Sequence, residues 1–270
     1  MATVNEKMTA IADAIRNVTG DTAPLTLDDM AVGVDEVYNK GGEEGYKSGI
    51  EEGKQVEYDS FWDSFQANGN RTDYTRTFSS VAWNNTTFKP KHQIKPKVAQ
   101  LMFYRNTALT GEIEAITNID WSECTNFEQA CQDLNKVTRL GVIDLRKATN
   151  LTNAFIYMAA LTTIDKIIFG DSTPNITFSK NVSLKNVKTE GVIFNDITFK
   201  DCPLTVDSLK SVISCLKDYT GTTSEYTKKV TFLTSAFDVL EAEGSTAEYN
   251  GTPCTWAELI GFKKWNLVKG

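Results

Sequence analysis

Two consecutive stretches, IDWSECTNFEQACQDLNKVTRLGV at residues 119–142 and IDLRKATNLTNAFIYMAALTTIDK at residues 143–166, repeat one pattern. Matched positions carry identical or similarly apolar residues, including Ile119/Ile143, Asp120/Asp144, Thr125/Thr149, Asn126/Asn150, Ala130/Ala154, Trp121/Leu145, Leu134/Met158 and Leu140/Ile164. A period in the twenties is typical of leucine-rich repeats, whose stacked units bury one continuous core and present a long surface. The pattern therefore predicts a leucine-rich-repeat solenoid, a fold that needs no catalytic residue.

Each copy should contain a short strand at its Ile-Asp pair, a turn at Thr-Asn and a short helical segment through Ala130 or Ala154. We expect Asn126 and Asn150 to stack and to hydrogen-bond backbone groups of the turn. Positions that differ between the copies are the ones expected to form any binding surface: Ser122/Arg146, Glu123/Lys147, Glu128/Thr152 and Asp133/Tyr157. Further strand candidates are residues 98–104 (VAQLMFY), Ile193 and Ile197.

The composition excludes several classes of function. The charges, 28 Lys and Arg against 35 Asp and Glu, give a net charge of −7 without a basic cluster, which argues against a nucleic-acid partner. Five scattered cysteines with no CxxC pair predict buried thiols rather than disulfides or a zinc site. The single histidine, His92, is expected on an exposed loop and not in catalysis. We therefore predict no catalytic residue, no metal and no cofactor.

The first 66 residues read as a helical attachment and oligomerisation region. Residues 3–18 fit an amphipathic helix that begins with a capping box formed by Thr3 and Glu6. Three glycines then recur every four residues and would lie in one row on a helix, where they permit close packing against partner helices. The predicted oligomerisation residues are Gly45, Gly49, Ile50, Gly53, Tyr58 and Trp62. A loosely ordered linker is the alternative interpretation of this segment.

Residues 201–270 show regular α/β patterns and are expected to cover the open end of the repeats. Thr205 is placed to cap a helix over VDSLKSVISCLKDY, and residues 228–233 read as a strand. Residues 235–243 read as a helix stopped by Gly244, and Thr255 with Glu258 forms a second capping box before a further helix. Residues 265–268 complete the series as a last strand.

The predicted fold class is thus α+β, in three regions. Residues 1–66 form the helical stem, residues 67–200 a short irregular leucine-rich-repeat solenoid, and residues 201–270 an α/β C-terminal cap. No apolar run approaches the roughly 20 residues of a membrane span, so membrane insertion is not expected. The first residues, MATVNEKMTAIADAIRN, lack the pattern of a signal peptide.

Two stretches resemble phage and prophage tail proteins, and later parts of the chain resemble a group of bacterial repeat proteins. MTAIADAIRNVTGDTAPLTLDDMAVGV (8–34) and GYKSGIEEGKQVEYDSFWDSFQANGNRTDYTRTFSSVAWNNTTFKPKHQIKP (45–96) are similar to the front of tail and baseplate proteins. The later repeats resemble BspA-like leucine-rich-repeat proteins, and CPLTVDSLKSVISCLKDYTG (202–221) is similar to their C-terminal cap. The repeats depart from regularity over residues 167–200, which leaves the number of repeat units open.

The resemblance implies a non-enzymatic component of the virion tail tip or fibre, made in the host cytoplasm. It would assemble as a homo-oligomer, with a trimer expected, alongside other tail or baseplate proteins. Its repeat region would contact a glycan or protein of the bacterial surface. Possible surface-binding residues are the aromatics Tyr74, Trp83 and Tyr157. Trp121, by contrast, is expected in the core.

Three other functions stay open on the sequence. The chain can be a purely structural baseplate or tail component, which sequence alone does not distinguish from a receptor-binding one. It can also be a bacterial leucine-rich-repeat interaction protein unrelated to phage. A glycan depolymerase would need a pair of catalytic carboxylates, and no pair of Asp or Glu residues stands in a recognisable motif.

Overall fold

The computed structural model describes residues 9, 12, 13, 71–80, 83–90 and 92–270. The chain divides into two compact units, Met1–Ser64 and Phe65–Gly270. The predicted N-terminal helices lie outside the described residues, apart from Thr9, Ala12 and Asp13, which are helical. The predicted oligomerisation residues also lie outside the described part of the chain, namely Gly45, Gly49, Ile50, Gly53, Tyr58 and Trp62.

The second unit is a mixed α/β structure with few helices and mainly parallel sheets. Its helices are α1 (Glu114–Thr117), α2 (Val206–Cys215), α3 (Thr234–Ala242) and α4 (Trp256–Phe262). Its strands are β1 (Arg139–Asp144), β2 (Thr163–Ile168), β3 (Ile176–Thr177), β4 (Asn186–Glu190), β5 (Ile197–Phe199), β6 (Lys229–Phe232), β7 (Ala247–Tyr249), β8 (Thr252–Cys254) and β9 (Asn266–Lys269).

Two parallel sheets organise these strands. The first sheet has the order β1-β2-β4 and the second has the order β3-β5-β6-β9. From β2 to β5 the chain alternates between the two sheets. Strand β4 therefore pairs with β2 in the first sheet, and β5 pairs with β3 in the second. Parallel neighbouring strands require a long crossover connection. Here each of these connections contains a strand of the other sheet.

The repeat seen in the sequence is a repeat of the structure. Strand β1 pairs with β2 so that Arg139 lies opposite Thr163 and Leu140 opposite Ile164, an offset of 24 residues. Asn126 and Asn150 also pair in parallel. Their side-chain oxygens accept hydrogen bonds from the N–H groups of Glu128 (3.0 Å) and Thr152 (3.1 Å), as predicted for these asparagines.

The predicted helical segment through Ala130 and Ala154 is wrong. In its place the N–H groups of Phe127, Gln129, Cys131 and Asp133 donate to the carbonyls of Asn150, Thr152, Ala154 and Ile156, at 2.8 to 3.2 Å. Gln129 and Asp133 have φ of 53° and 60°, in the left-handed region that interrupts an α-helix. We call this row of turns, bonded from one chain segment to the next, the turn ladder.

The predicted strand at residues 98–104 is also wrong, because these residues belong to the turn ladder. The N–H groups of Ala99, Leu101 and Phe103 donate to the carbonyls of Asn126, Glu128 and Ala130. Leu101 and Arg105 adopt positive φ (57° and 54°), which an extended strand does not permit. Of the two isoleucines proposed as strand residues, Ile197 lies in β5 and Ile193 makes only a single bridge to Leu216.

A column of phenylalanines fills the core between the stacked segments. Ring centroids are 6.1 Å apart for Phe127 and Phe155, 5.8 Å for Phe155 and Phe178, 4.7 Å for Phe178 and Phe199, and 6.4 Å for Phe199 and Phe232. All five rings are fully buried. Each contact adds about 0.5–1.5 kcal/mol beyond burial. The stacking therefore continues through residues 167–200, where the sequence period loosens.

Two buried asparagines hold neighbouring segments together. Asn106 Nδ2 donates to Phe78 O and Asn181 Nδ2 donates to Phe155 O, at 3.0 and 2.8 Å. The side-chain oxygen of each accepts a backbone N–H, from Leu109 (3.2 Å) and Met158 (2.9 Å) respectively. These asparagines perform the inward structural role that the sequence suggested for Asn126 and Asn150, which are half-buried instead.

The elements predicted beyond residue 201 are confirmed. Thr205 caps α2, whose buried side includes Leu209, Val212 and Ile213, and the capping box of Thr255 and Glu258 opens α4. Gly244 follows α3 with φ of 67°. The antiparallel pair β7-β8 was missed, although its connection Asn250-Gly251, with φ of 50° and 80°, is the dipeptide most typical of a tight hairpin.

Helices flank both edges of the first sheet. At β1, α1 packs so closely that a Cβ on Gly141 would lie 1.7 Å from Thr117 O. At β4, two hydroxyls of α2 take the place of a further strand: Val187 N donates to Ser208 Oγ and Thr189 N donates to Ser211 Oγ, both at 2.8 Å. Such covering removes the unpaired edge groups that otherwise invite another chain.

Candidate functional site

The aromatic residues proposed for surface binding have different environments. Tyr74 and Trp83 are only 4% and 8% exposed, so the expectation that they present open rings is wrong. Both rings pack against the ring of Phe78, with ring centroids 6.3 Å apart in each case. They belong to an aromatic core within residues 71–90. Tyr157 is 46% exposed, as expected, at a turn with φ of 60°. Trp121 is buried, as predicted.

Positions that differ between the two repeat copies mainly connect adjacent segments. Glu123 and Lys147 are matched positions of the two copies with opposite charge. Lys147 Nζ lies 2.5 Å from Glu123 Oε1, so the two side chains form an ion pair between the copies. Glu128 Oε2 accepts hydrogen bonds from Gln100 and Asn150. Arg146 folds onto Asp144 of its own copy, at 2.6 Å. At these positions, the residues that differ between the copies therefore make contacts inside the protein.

A charged groove of about 760 Å³ lies on the first sheet and the start of α2. Its polar groups are largely engaged within the protein. Arg139 donates to both carboxylate oxygens of Asp165 (2.8 and 3.1 Å) and to Glu112 (2.8 Å). These contacts raise the pKa of Arg139. Ser208 and Ser211, on the opposite wall, bond the edge of β4.

A second groove, of about 450 Å³, lies on the outer face of the second sheet. We call it the threonine groove. Thr177, Thr198 and Thr231 lie opposite one another on β3, β5 and β6 and form its centre. It is lined by Leu151, Thr152, Asn153, Asn175, Ile176, Thr177, Asp196, Ile197, Thr198, Lys200, Lys229 and Thr231. The groove therefore joins the second sheet to the end of the turn ladder.

Strand periodicity explains why threonines lie on this face. Ile176-Thr177-Phe178, Ile197-Thr198-Phe199 and Val230-Thr231-Phe232 each alternate a buried apolar residue, a threonine and a buried phenylalanine. Successive side chains of a strand point to opposite faces. The phenylalanines thus enter the core column while the threonines line the groove. These triplets are visible in the sequence, and their recurrence is the signal that could have located the site.

Several polar groups of the threonine groove have no partner among the described residues. This holds for the hydroxyls of Thr152, Thr198 and Thr231 and for the ammonium groups of Lys200 and Lys229. Thr177, by contrast, bonds Ser179 Oγ at 2.8 Å, and Asp196 Oδ1 accepts from Lys229 N at 2.9 Å. The groove therefore offers hydroxyl and ammonium donors to a bound molecule. Its lining also includes Leu151, Ile176 and Ile197, whose side chains are buried.

The cysteines and the histidine of the described residues lie in different environments. All five cysteines are free, as predicted, and burial raises the pKa of Cys124 and Cys131 to about 12. At neutral pH these two thiols are protonated and weakly nucleophilic. His92 is exposed, and the described residues contain no cluster of three His, Cys, Asp or Glu side chains suited to a metal ion.

Comparison of the chain with protein-family models, with curated proteins and with solved structures gives no match. Within the described ranges, no helix has the length and apolar character that crossing a membrane requires.

Proposed function

We propose that this chain is a non-enzymatic phage tail-tip or fibre protein that binds the host bacterial surface through its repeat region. The proposal draws on the resemblance of residues 8–34 and 45–96 to tail and baseplate proteins. The stem over residues 1–66 would attach the protein to the particle and assemble it as a homo-oligomer, with a trimer expected.

The repeat region over residues 67–200 is proposed to be a short, irregular leucine-rich-repeat solenoid. Support comes from the 24-residue register between β1 and β2 and from the alternation of the chain between two parallel sheets. The continuous phenylalanine column is the core that stacked units would share. Residues 201–270 would then close the stack as its C-terminal cap.

The observation that carries a binding function is the threonine groove. Its unpartnered hydroxyl and ammonium groups lie on a sheet supported by the buried phenylalanine column. Donors held on regular strands and not bonded within the protein can hydrogen-bond a ligand with little reorganisation. The groove is open to solvent along the sheet and can therefore accommodate a segment of an extended surface polymer.

Binding of the purified full-length chain to cells of the host species tests the proposal. We expect saturable adhesion that excess soluble chain competes away, and reduced adsorption of virions from which the gene is deleted. Absence of cell binding, with normal adsorption of the deleted virion, would remove the receptor role. Electron microscopy of the particle would then locate a purely structural component. Cleavage of purified host polysaccharide by the chain would instead show an enzyme.

The proposed oligomer is tested by native mass measurement of two chains, residues 1–270 and residues 67–270. We expect a trimer for the first and a monomer for the second, because the association is assigned to the stem. An oligomer that persists without residues 1–66 would place the association in the second unit.

A further inference from the structure

The threonine groove combines its free hydroxyls with a local excess of positive charge. Lys200 and Lys229 line it, and the single anionic side chain of the lining is Asp196, which already accepts the N–H of Lys229. The whole chain carries a net charge of −7. A cationic groove on an acidic protein therefore differs in sign from the protein as a whole.

The two lysines flank the threonines in a defined way. Thr198 and Thr231 are opposite each other in the β5-β6 pair. Lys229 precedes Thr231 by two residues within β6, so these two side chains share a face. Lys200 directly follows β5 and also lines the groove. Lys200 lies beyond the C-terminal end of β5 and Lys229 at the N-terminal end of β6, so the lysines stand toward opposite ends of this parallel pair. The free hydroxyls of Thr198 and Thr231 lie between them.

Other lysines of the second unit that lie near carboxylates are engaged by them. Lys147 pairs with Glu123 (2.5 Å), Lys166 with Glu190 (2.7 Å) and Lys210 with Glu243 (2.8 Å). Lys200 and Lys229 have no such partner among the described residues. Their ammonium groups are therefore available to anionic oxygens of another molecule.

We propose that the threonine groove selects an anionic polymer, one that carries phosphodiester or carboxylate groups beside hydroxyl groups. Anionic oxygens would accept charge-assisted hydrogen bonds from the two ammonium groups, and hydroxyls of the polymer would pair with the threonines. Repeated charges along a linear polymer would engage both lysines together. This inference rests on the proposed binding function and adds the chemical class of the ligand.

The test compares three polymers with the purified full-length chain: poly(glycerol phosphate), polygalacturonate and neutral dextran. We expect at least one anionic polymer to bind more tightly than dextran, with an affinity that falls as salt rises. The double variant Lys200→Ala/Lys229→Ala should lose about tenfold in affinity, equivalent to about 1.4 kcal/mol. Thermal unfolding of each variant confirms that the fold is retained.

The matched control is Lys97→Ala/Lys136→Ala. It changes the net charge of the chain equally but alters exposed lysines that do not line the groove. We expect less than about a twofold loss, because distant exposed charges are screened. Equal losses in the two double variants, preference for dextran, or binding to none of the polymers would overturn the inference. Adhesion to host cells that persists in that event would leave the proposed function standing.

Discussion

The two parallel sheets of this protein use their polar residues in opposite ways. At the first sheet, Arg139 donates to Asp165 and to Glu112, and serines of α2 complete the edge of β4. On the second sheet, Thr198, Thr231, Lys200 and Lys229 have no partner among the described residues. Most polar side chains of the larger groove are thus bonded within the protein, although the charged groups of Lys188 and Asp207 have no partner among the described residues. Groove size alone does not identify the surface available for binding.

We expect this contrast to appear in the effects of substitutions. Substitutions on the first sheet should change stability and leave binding intact, whereas substitutions in the threonine groove should change binding and leave stability intact.

Gly141→Ala should have the largest effect, a loss of about 3 kcal/mol or more in the free energy of unfolding. The new Cβ would lie 1.7 Å from Thr117 O, and backbone atoms of α1 would have to move. Urea unfolding measures the loss. Gly261→Ala is the control, because its Cβ would meet nothing within 4 Å in α4. There we expect no loss, or a gain of about 0.5–1 kcal/mol from helix propensity. Equal behaviour of the two variants would contradict the close packing of α1 on β1.

Ser208→Ala should cost about 1–3 kcal/mol, because it leaves the N–H of Val187 buried without an acceptor. Ser208 is 4% exposed and its hydroxyl also donates to Lys185 O at 2.9 Å. Ser214→Ala, in the same helix, removes an exposed hydroxyl that bonds only Lys210 O and should be nearly neutral. Chemical denaturation of both variants compares them directly. A neutral Ser208→Ala would mean that the β4 edge does not depend on α2.

Asp144→Asn should destabilise the protein at neutral pH, and the difference should shrink in acid. Burial alone would raise the pKa of Asp144, but hydrogen bonds from the side chain and backbone of Arg146 lower it below the usual 3.8. A lowered folded-state pKa contributes stability that is present above about pH 4 and is lost as pH falls through the folded value. Unfolding of both proteins at pH 7, 5 and 3 measures the change. A constant difference across that range would show that the carboxylate charge does not contribute.

Thr198→Val should have the smallest effect on stability, within about 0.5 kcal/mol, because its hydroxyl has no partner among the described residues. Thr177→Val, in the same column, loses a bond to Ser179 Oγ of 2.8 Å and should cost about 1 kcal/mol. Thermal unfolding ranks the two. A Thr198→Val loss that matches or exceeds that of Thr177→Val would show that the groove hydroxyls stabilise the fold, and the contrast between the sheets would fail.

Much of the second unit was predictable because local signals and tertiary structure agree there. Thr205 and Thr255 occupy the N-cap positions that their helices require, and Glu258 completes the capping box that the sequence predicts. The hairpin at Asn250-Gly251 is likewise encoded by a local signal, the Asn-Gly dipeptide. Tyr74 and Trp83 were misplaced because an aromatic side chain in an irregular segment carries no periodic sign of the face on which it lies.

The sequence by itself determined the 24-residue repeat, the buried thiols and the capped elements beyond residue 201, because each depends on residue identity at short separations. Only the tertiary structure decided that residues 127–133 form turns instead of a helix, since their N–H groups bond the next segment. It also decided which polar groups are free. Arg139 hydrogen-bonds Asp165, whereas the hydroxyls of Thr198 and Thr231 have no partner among the described residues. Both outcomes depend on distances between strands that are far apart along the chain.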